Sequence, residues 1–230
     1  MNTRALGGWR DMSERALWNV LASCILGSQV SNSQLRVVLG NLDIDGLAEP
    51  WRIKAGVNAL AKQFSASLIT RPAVGLQPKR SGYRFPERGA WFLARAVKAV
   101  YRNGNSIHTL IEESAESINL RRLLVASIPG VGPKQASLFL LEIGVSDNFA
   151  SLDRHLLRYI AMTGTRLTSD GCVIHVPVGL NEYERVESAL RTEAHGIGVS
   201  LASLDTAIWV LMRAWSTHSH VWHNTNSRVS

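Results

Sequence analysis

Apolar residues recur at helical spacing along most of this chain, which predicts a largely α-helical protein. Near the N-terminus, one set follows the i, i+3, i+4, i+7, i+8 pattern of an amphipathic helix: Leu17, Val20, Leu21, Cys24 and Ile25. Asp11 and Glu14 stand three positions apart before this set and resemble a capping box at the helix start. Weaker apolar patterns predict helices over 34–39 and 57–68.

The second half of the chain continues the helical pattern. One helix resumes near Trp91 and stops at Asn103 and Gly104, a pair typical of a helix C-terminus. Further helices are predicted over 106–115, 117–127, 134–143, 153–162, 181–194 and 200–215. In the last of them a buried stripe is expected from Leu201, Leu204, Ile208, Leu211 and Trp215. The single extended segment predicted is short, over 172–176.

A glycine-rich turn joins two of the predicted helices at Gly130, Val131 and Gly132. Such a turn exposes backbone amides at the positive end of the following helix, which favours the binding of a phosphate. An ordinary helix–helix turn is the alternative interpretation. The turn is not a nucleotide-binding P-loop, because only Gly-x-Gly-Pro precedes Lys134 and no strand is predicted before it.

Lys134 and Asp153 stand nineteen positions apart, each at the predicted start of a helix. A nucleophilic amine must be neutral, and a helix N-terminus in a partly desolvated pocket favours that form. A carboxylate at Asp153 is suited to stabilising a cationic sugar and is also a good helix cap. The alternative for Lys134 is a simple contact with a phosphate.

Composition adds a preference for an anionic partner. The chain has 25 Lys and Arg against 18 Asp and Glu, a formal net charge of +7, which suits a polyanion without proving one. No apolar run approaches eighteen residues and no apolar signal core stands at the N-terminus, so we expect no membrane span and no export. The expected location is the cytoplasm, associated with the nucleoid if the source is bacterial.

The cysteines and histidines give no metal site. Cys24 and Cys172 each lack a second cysteine at ligand spacing, which excludes a zinc or iron–sulfur site built from cysteines. Cys24 falls on an apolar helix face and is expected in the core. Three histidines close together near the C-terminus, His218, His220 and His223, are interpreted as part of a polar tail, since no acidic or cysteine partner accompanies them.

The combined pattern resembles a known family. The run Leu-x-x-x-Ile-Pro-Gly-Val-Gly-Pro-Lys-x-Ala over 124–136, followed by Leu-Asp-Arg-His over 152–155, resembles the helix–hairpin–helix DNA glycosylases, above all their lysine-bearing 8-oxoguanine glycosylase/lyases. The resemblance extends to three further segments, 21–29, 83–88 and 204–209. The chain lacks the four-cysteine cluster of the endonuclease III and adenine-glycosylase relatives.

The resemblance implies an all-α fold with two lobes. A central lobe over 31–153 would carry the hairpin, at about 118–143. The segments 1–30 and 154–230 would form the second lobe, and the active cleft would lie between the lobes, bordered by Lys134 and Asp153.

The resemblance also implies roles for single residues. Lys134 would attack the sugar C1′, expel the base and form a Schiff base, and β-elimination of the 3′ phosphate would then cut the strand. Asp153 would stabilise the oxocarbenium charge and help to deprotonate Lys134. The DNA backbone would be held by Gly130, Val131, Gly132, Arg154 and His155, with a structural histidine and a solvated charged face as alternatives.

An enzyme that reaches C1′ must extrude the nucleotide and hold its base. Asp205 and Trp209 share one helix face, at i and i+4, and would supply a hydrogen bond and a stacking ring. A core tryptophan beside a solvent-exposed aspartate is the alternative. Gln29 and Phe85 complete the predicted base-recognition set.

The predicted function is therefore a bifunctional DNA glycosylase/AP lyase that excises oxidised guanine, 8-oxoguanine. The alternatives are a monofunctional glycosylase for another damaged or modified base, in which Asp153 activates water, and a non-catalytic hairpin DNA-binding protein. The expected partner is double-stranded DNA containing a damaged base, bound by a monomer. Neither a cofactor nor a metal is expected.

Overall fold

The computed structural model describes residues 8–28, 30–69, 83–114, 116–163 and 179–225, with side chains as far as residue 216. These residues form three 3-10 turns, no strand and ten α-helices: α1 (Glu14–Leu26), α2 (Asn32–Ile44), α3 (Val57–Leu68), α4 (Pro86–Val100), α5 (Ile107–Glu112), α6 (Ser117–Ser127), α7 (Pro133–Glu142), α8 (Arg154–Thr163), α9 (Leu180–Gly196) and α10 (Leu201–Thr225). The predicted all-α fold is confirmed. The extended segment predicted over 172–176 lies outside the described residues.

The contacts divide the chain into two compact units, Met1–Val145 and Ser146–Ser230. The first unit contains α1 to α7 and the second contains α8 to α10. The division into a lobe over 31–153 and a lobe made of 1–30 and 154–230 stays a prediction.

The first helix is capped differently from the prediction. Ser13 caps α1 by accepting a hydrogen bond from the amide of Ala16, while Asp11 belongs to a 3-10 turn. The Glu14 carboxylate accepts instead from the Ile107 amide at 2.7 Å and from Nδ1 of His108 at 2.8 Å. Glu14 therefore satisfies the amides of Ile107 and His108 at the start of α5, ninety-three and ninety-four residues away in sequence.

The second unit has its own core, in which α8 and α9 pack with α10. The stripe of α10 that packs there consists of Leu201, Leu204, Ile208 and Met212. The predicted stripe was wrong at its end, because Leu211 is 57% exposed and Trp215 is 54% exposed. After Ile208 it is the residue at i+4, Met212, that packs into the core, whereas the residue at i+3, Leu211, points away from it.

The last helix of the second unit is longer than predicted. Helix α10 continues to Thr225, ten residues past the predicted end.

Among the described residues no single helix is long and apolar enough to cross a membrane. The bent pair Leu180–Gly196 and Leu201–Ser216 meets the criterion only when its two helices are taken together, by length and composition alone.

The turn between α6 and α7 depends on one glycine. Gly130 has φ = +88°, a left-handed conformation that disfavours any residue with a Cβ. A Cβ at this position would also lie 2.7 Å from Cγ of Phe92, on α4. Gly132 has φ = −90°, and its added Cβ would meet only the flexible end of Gln135, at 3.1 Å.

We expect Gly130→Ala to lower the free energy of unfolding by about 2–4 kcal/mol, because it combines left-handed strain with a clash against Phe92. Gly132→Ala is the matched control and should cost about 1 kcal/mol or less, the usual difference between glycine and alanine at a helix cap. Urea unfolding followed by circular dichroism measures both. Equal losses for the two variants would contradict this account of the turn.

Candidate active site

The hairpin presents fewer free amides than its sequence suggests. The Val131 amide donates to the Ile128 carbonyl at 3.1 Å, and the Gly132 amide donates to Oε1 of Gln135 at 3.2 Å. Two of the three amides predicted to hold the DNA backbone are therefore engaged within the hairpin. Contact of Gly130, Val131 and Gly132 with DNA stays a prediction.

The backbone amides without an acceptor lie further along the chain, at the start of α7. Pro133 has no N–H, and the first backbone hydrogen bond of the helix runs from Ala136 to Gly132, at 2.9 Å. The amides of Lys134 and Gln135 have no acceptor among the described residues. These two amides and the positive end of the helix dipole are suited to binding an anion.

Lys134 is half-buried and is the second residue of α7. Cys24, on α1, is the other potential nucleophile of this region. Burial, and then the negative charge of Glu142, raise the pKa of the Cys24 thiol to about 12, although the hydrogen bond with Ser23 and the positive charge of Lys134 act against them. Cys24 is therefore a protonated core residue, as predicted, and does not compete with Lys134 for chemistry.

Asp153 caps α8, as its sequence position predicted. Its Oδ1 accepts hydrogen bonds from the amides of His155 at 2.8 Å and Leu156 at 3.0 Å. Its second carboxylate oxygen accepts no hydrogen bond from any described residue. One carboxylate can therefore hold the helix start and still present an oxygen to a substrate.

The base-recognition candidates on α10 lie beside this cap. Oδ2 of Asp205 accepts a hydrogen bond from the Ser151 amide at 2.8 Å, two residues before Asp153. The ring of Trp209 meets the ring of His155 edge-on, with centroids 6.3 Å apart and an interplanar angle of 76°. The structure thus gathers Asp153, His155, Asp205 and Trp209 within the second unit. Asp205 is half-buried and bonded to the backbone, so the alternative of a solvent-exposed aspartate is wrong.

Two residues that the sequence analysis missed, Tyr183 and Glu187, hold the loop at 150–152, just before Asp153. The Ala150 amide donates to Oε1 of Glu187 at 2.9 Å, and the Leu152 amide donates to the Tyr183 hydroxyl at 2.9 Å. That hydroxyl in turn donates to the Ala150 carbonyl at 2.7 Å. Glu187 lies on the apolar face of α9 and is 1% exposed. An acidic residue within a buried helical stripe was the available signal.

Of the remaining predicted residues, Arg154 lies beside the residues gathered around Asp153. Gln29 lies outside the described residues. Phe85 precedes α4 in the first unit, is 39% exposed, and carries the Arg84 guanidinium 5.0 Å above its ring. Arg154 is exposed and approaches Nε2 of His155 at 3.5 Å. Among the described residues no three His, Cys, Asp or Glu side chains are grouped so as to hold a metal ion.

We expect Asp153→Ala to lower the free energy of unfolding by about 1 kcal/mol, because two amides of α8 lose their cap. Asp153→Asn should change it by a few tenths of a kcal/mol, since asparagine caps a helix about as well as aspartate. Chemical unfolding of both variants measures the difference. Equal destabilisation by alanine and asparagine would show that the charge, and not the cap, stabilises this helix.

Comparisons with known proteins place the chain in a family. A family model described as 8-oxoguanine DNA glycosylase (Ogg-HhH) matches residues 6–199. The chain is 28% identical to the 8-oxoguanine DNA glycosylase/AP lyase of Thermotoga maritima over 73% of its length and 75% of that protein. It is 29% identical to the enzyme of the same name from Methanocaldococcus jannaschii, over 66% and 69% of the two chains.

Solved structures of related proteins have the same fold. The 8-oxoguanine DNA glycosylase of M. jannaschii superposes with a TM-score of 0.64 at 22% identity, covering 88% of this chain and 80% of that one. The 8-oxoguanine DNA glycosylase of T. maritima gives a TM-score of 0.62 at 23% identity, covering 88% and 82%. The structure comparisons therefore show the fold, and the family model over residues 6–199 shows the family.

Proposed function

Because this chain belongs to the 8-oxoguanine DNA glycosylase family, we propose that it excises 8-oxoguanine from double-stranded DNA and then cuts the strand. One observation carries the proposal: a lysine is the second residue of the helix that follows the hairpin, and a carboxylate with one unengaged oxygen caps α8. Relatives with 28–29% identity are named 8-oxoguanine DNA glycosylase/AP lyases.

In the proposed reaction Lys134 is the nucleophile. Its neutral Nζ forms a bond to C1′ as the bond from C1′ to the base breaks, and the base leaves with a proton. The sugar ring then opens to a Schiff base on Nζ, and loss of a C2′ proton expels the 3′ phosphate. No cofactor is needed, because the imine formed between Nζ and C1′ itself accepts the electrons released when the C2′ proton is lost.

Asp153 is proposed to act in that reaction on the positive charge of the sugar and on the proton of Lys134. Its free oxygen stabilises the positive charge that develops on the sugar as the base departs. The same oxygen can take the proton that Lys134 must lose before it attacks. The cap bonds through Oδ1 restrict the rotation of the carboxylate, which reduces the reorganisation that the reaction requires.

The extruded base is proposed to bind beside α10. The half-buried ring of Trp209, supported by His155 on one edge, is suited to stacking on a purine. Asp205 would hydrogen-bond the base while it holds the Ser151 amide. Gln29 and Phe85 remain proposed contacts to the damaged pair.

The DNA backbone is proposed to bind at two places. One phosphate would lie on the Lys134 and Gln135 amides at the end of the hairpin, and Arg154 with His155 would hold a second. The protein is proposed to act as a monomer in the cytoplasm, associated with the nucleoid if it is bacterial.

Trapping a covalent intermediate tests the proposed nucleophile. With borohydride, the wild type should form a stable complex with DNA containing 8-oxoguanine, and Lys134→Gln should form none, because the variant has no amine to make the imine. Gel electrophoresis of the mixture measures both results. A matched control is Lys62→Gln, an exposed lysine on α3, which should trap like the wild type.

The outcomes separate the three functions considered. Trapping of Lys134→Gln would refute the proposed nucleophile. Release of a base without trapping of the wild type would identify a monofunctional glycosylase that uses water. Salt-sensitive binding with no release of any base would identify a DNA-binding protein without catalysis.

A second test addresses the proposed base contact. Trp209→Ala should lower excision of 8-oxoguanine about 5- to 150-fold, the effect of losing one aromatic stack of about 1–3 kcal/mol. Cleavage at a preformed abasic site should fall much less, because that substrate has no base to stack. Single-turnover rates on the two DNAs measure the split. The control is Trp215→Ala, an exposed position on the same helix, and equal losses on both DNAs for Trp209→Ala would contradict the proposal.

A further inference from the structure

A groove of about 420 Å³ lies on the first unit, next to the hairpin. Helix α4 forms one wall, and α3 and the end of α6 form the others. The residues that matter to its chemistry are Asn58, Trp91, Arg95, Lys98, Ser127 and Pro129. None of them belongs to the catalytic set, and Pro129 directly precedes the hairpin glycine Gly130.

The groove is positively charged. Arg95 and Lys98 stand three residues apart on α4, which separates them by about 4.5 Å along the helix axis. Both side chains are exposed, and neither forms an ion pair within the part of the chain that the structure describes. The one acidic residue of α4, Glu87, lies in its first turn. Two neighbouring cations without a carboxylate attract an anion strongly.

The groove is also built to hold its shape. The Arg95 guanidinium lies 4.5 Å from the centroid of the Trp91 ring, a cation–π contact that limits its freedom. Trp91 meets Phe92 edge-on, with centroids 5.5 Å apart, and Phe92 packs against Gly130. The groove wall and the hairpin are therefore one continuous packed structure. An anion in the groove would lie beside Pro129, the residue that directly precedes the hairpin glycine.

We propose that this groove binds the sugar–phosphate backbone of the substrate duplex beyond the phosphate held by the hairpin. Arg95 and Lys98 contact one or two phosphates, and the planar guanidinium of Arg95 suits two-point contact with phosphate oxygens. The ring of Trp91, 41% exposed, packs against a deoxyribose. Asn58 and Ser127 supply polar side chains for further hydrogen bonds.

The occupant follows from charge and position. A duplex bound at the hairpin continues past it with one negative charge per 1.7 Å of helix axis, so a cationic surface next to the hairpin meets phosphates without any change in the protein. The inference rests on the proposed function to the extent that the chain binds duplex DNA. It does not require that any base be excised.

The experiment measures equilibrium binding to undamaged duplexes by fluorescence anisotropy, over a range of salt. Arg95→Gln and Lys98→Gln should each weaken binding about tenfold at low salt, the usual effect of losing one charge-assisted hydrogen bond of roughly 1.4 kcal/mol. Each should also lower the slope of log K against log salt by about 0.9, the value for one phosphate contact. Arg95→Lys keeps the charge and should restore most of the slope. Arg36→Gln, which removes an exposed charge of α2 outside the groove, should leave the slope unchanged.

A series of duplexes shortened from either end locates the contact. The wild type should lose affinity sharply when one particular arm becomes too short, and the double variant of Arg95 and Lys98 should not show that loss. Unchanged salt slopes for Arg95→Gln and Lys98→Gln, as expected for Arg36→Gln, would overturn the proposal. A double variant with the same length dependence as the wild type would overturn it too. A wild type that binds duplexes with this length dependence but excises nothing would refute the proposed function and support the groove. Groove variants with unchanged DNA binding but weakened binding of an acidic peptide would assign the groove to a protein partner and overturn the proposal.

Discussion

Three successive backbone amides, at Ala150, Ser151 and Leu152, are held by the side chains of Glu187, Asp205 and Tyr183, and the geometry around Asp153 depends on these bonds. An irregular loop has no helix or sheet to satisfy its amides, and each buried amide left unpaired would cost about 1–3 kcal/mol. Glu187 is itself a buried charge, stabilised by that amide and by an ion pair with Arg191 at 3.1 Å. Helices α9 and α10 therefore fix the position from which Asp153 starts α8.

The hairpin is held by a different kind of constraint. Gly130 combines a left-handed conformation with close approach to Phe92, so backbone and packing both exclude other residues there. Below the turn, the fully buried Arg121 of α6 donates to Ser137 of α7 at 3.1 Å and links the two helices of the hairpin. Together these contacts place Lys134 at the second position of α7, because the turn determines where that helix begins. Each unit thus contains its own rigid support for one of the two proposed catalytic residues.

The sequence predicted what depends on local periodicity and on short-range chemistry. Helix α6 was predicted with its observed ends, and the role of Asp153 as a cap followed from its position before an apolar helix. Most of the errors arise from choices that only tertiary structure makes, whereas the error at Gln135 is a local cap of the hairpin that the prediction overlooked. Glu14 satisfies amides ninety-three residues away instead of its own helix, and Gln135 occupies an amide that the glycine pattern offered to a phosphate. Likewise, only the packing of α10 decides between Leu211 and Met212 as the buried residue.

The start of α7 and the start of α8 each keep polar groups that have no partner among the described residues. Every amide from Ala150 to Asp153 is engaged, whereas the amides of Lys134 and Gln135 and one oxygen of Asp153 have no partner among the described residues. The first amides of any helix have no acceptor within the helix, so water or a ligand must satisfy them. The unpaired donors suit phosphate oxygens, and the unpaired acceptor suits a cationic sugar. In each unit, therefore, the groups left without a protein partner have the charge that the proposed function requires of them, donors for a phosphate at the start of α7 and an acceptor for a cationic sugar at the start of α8.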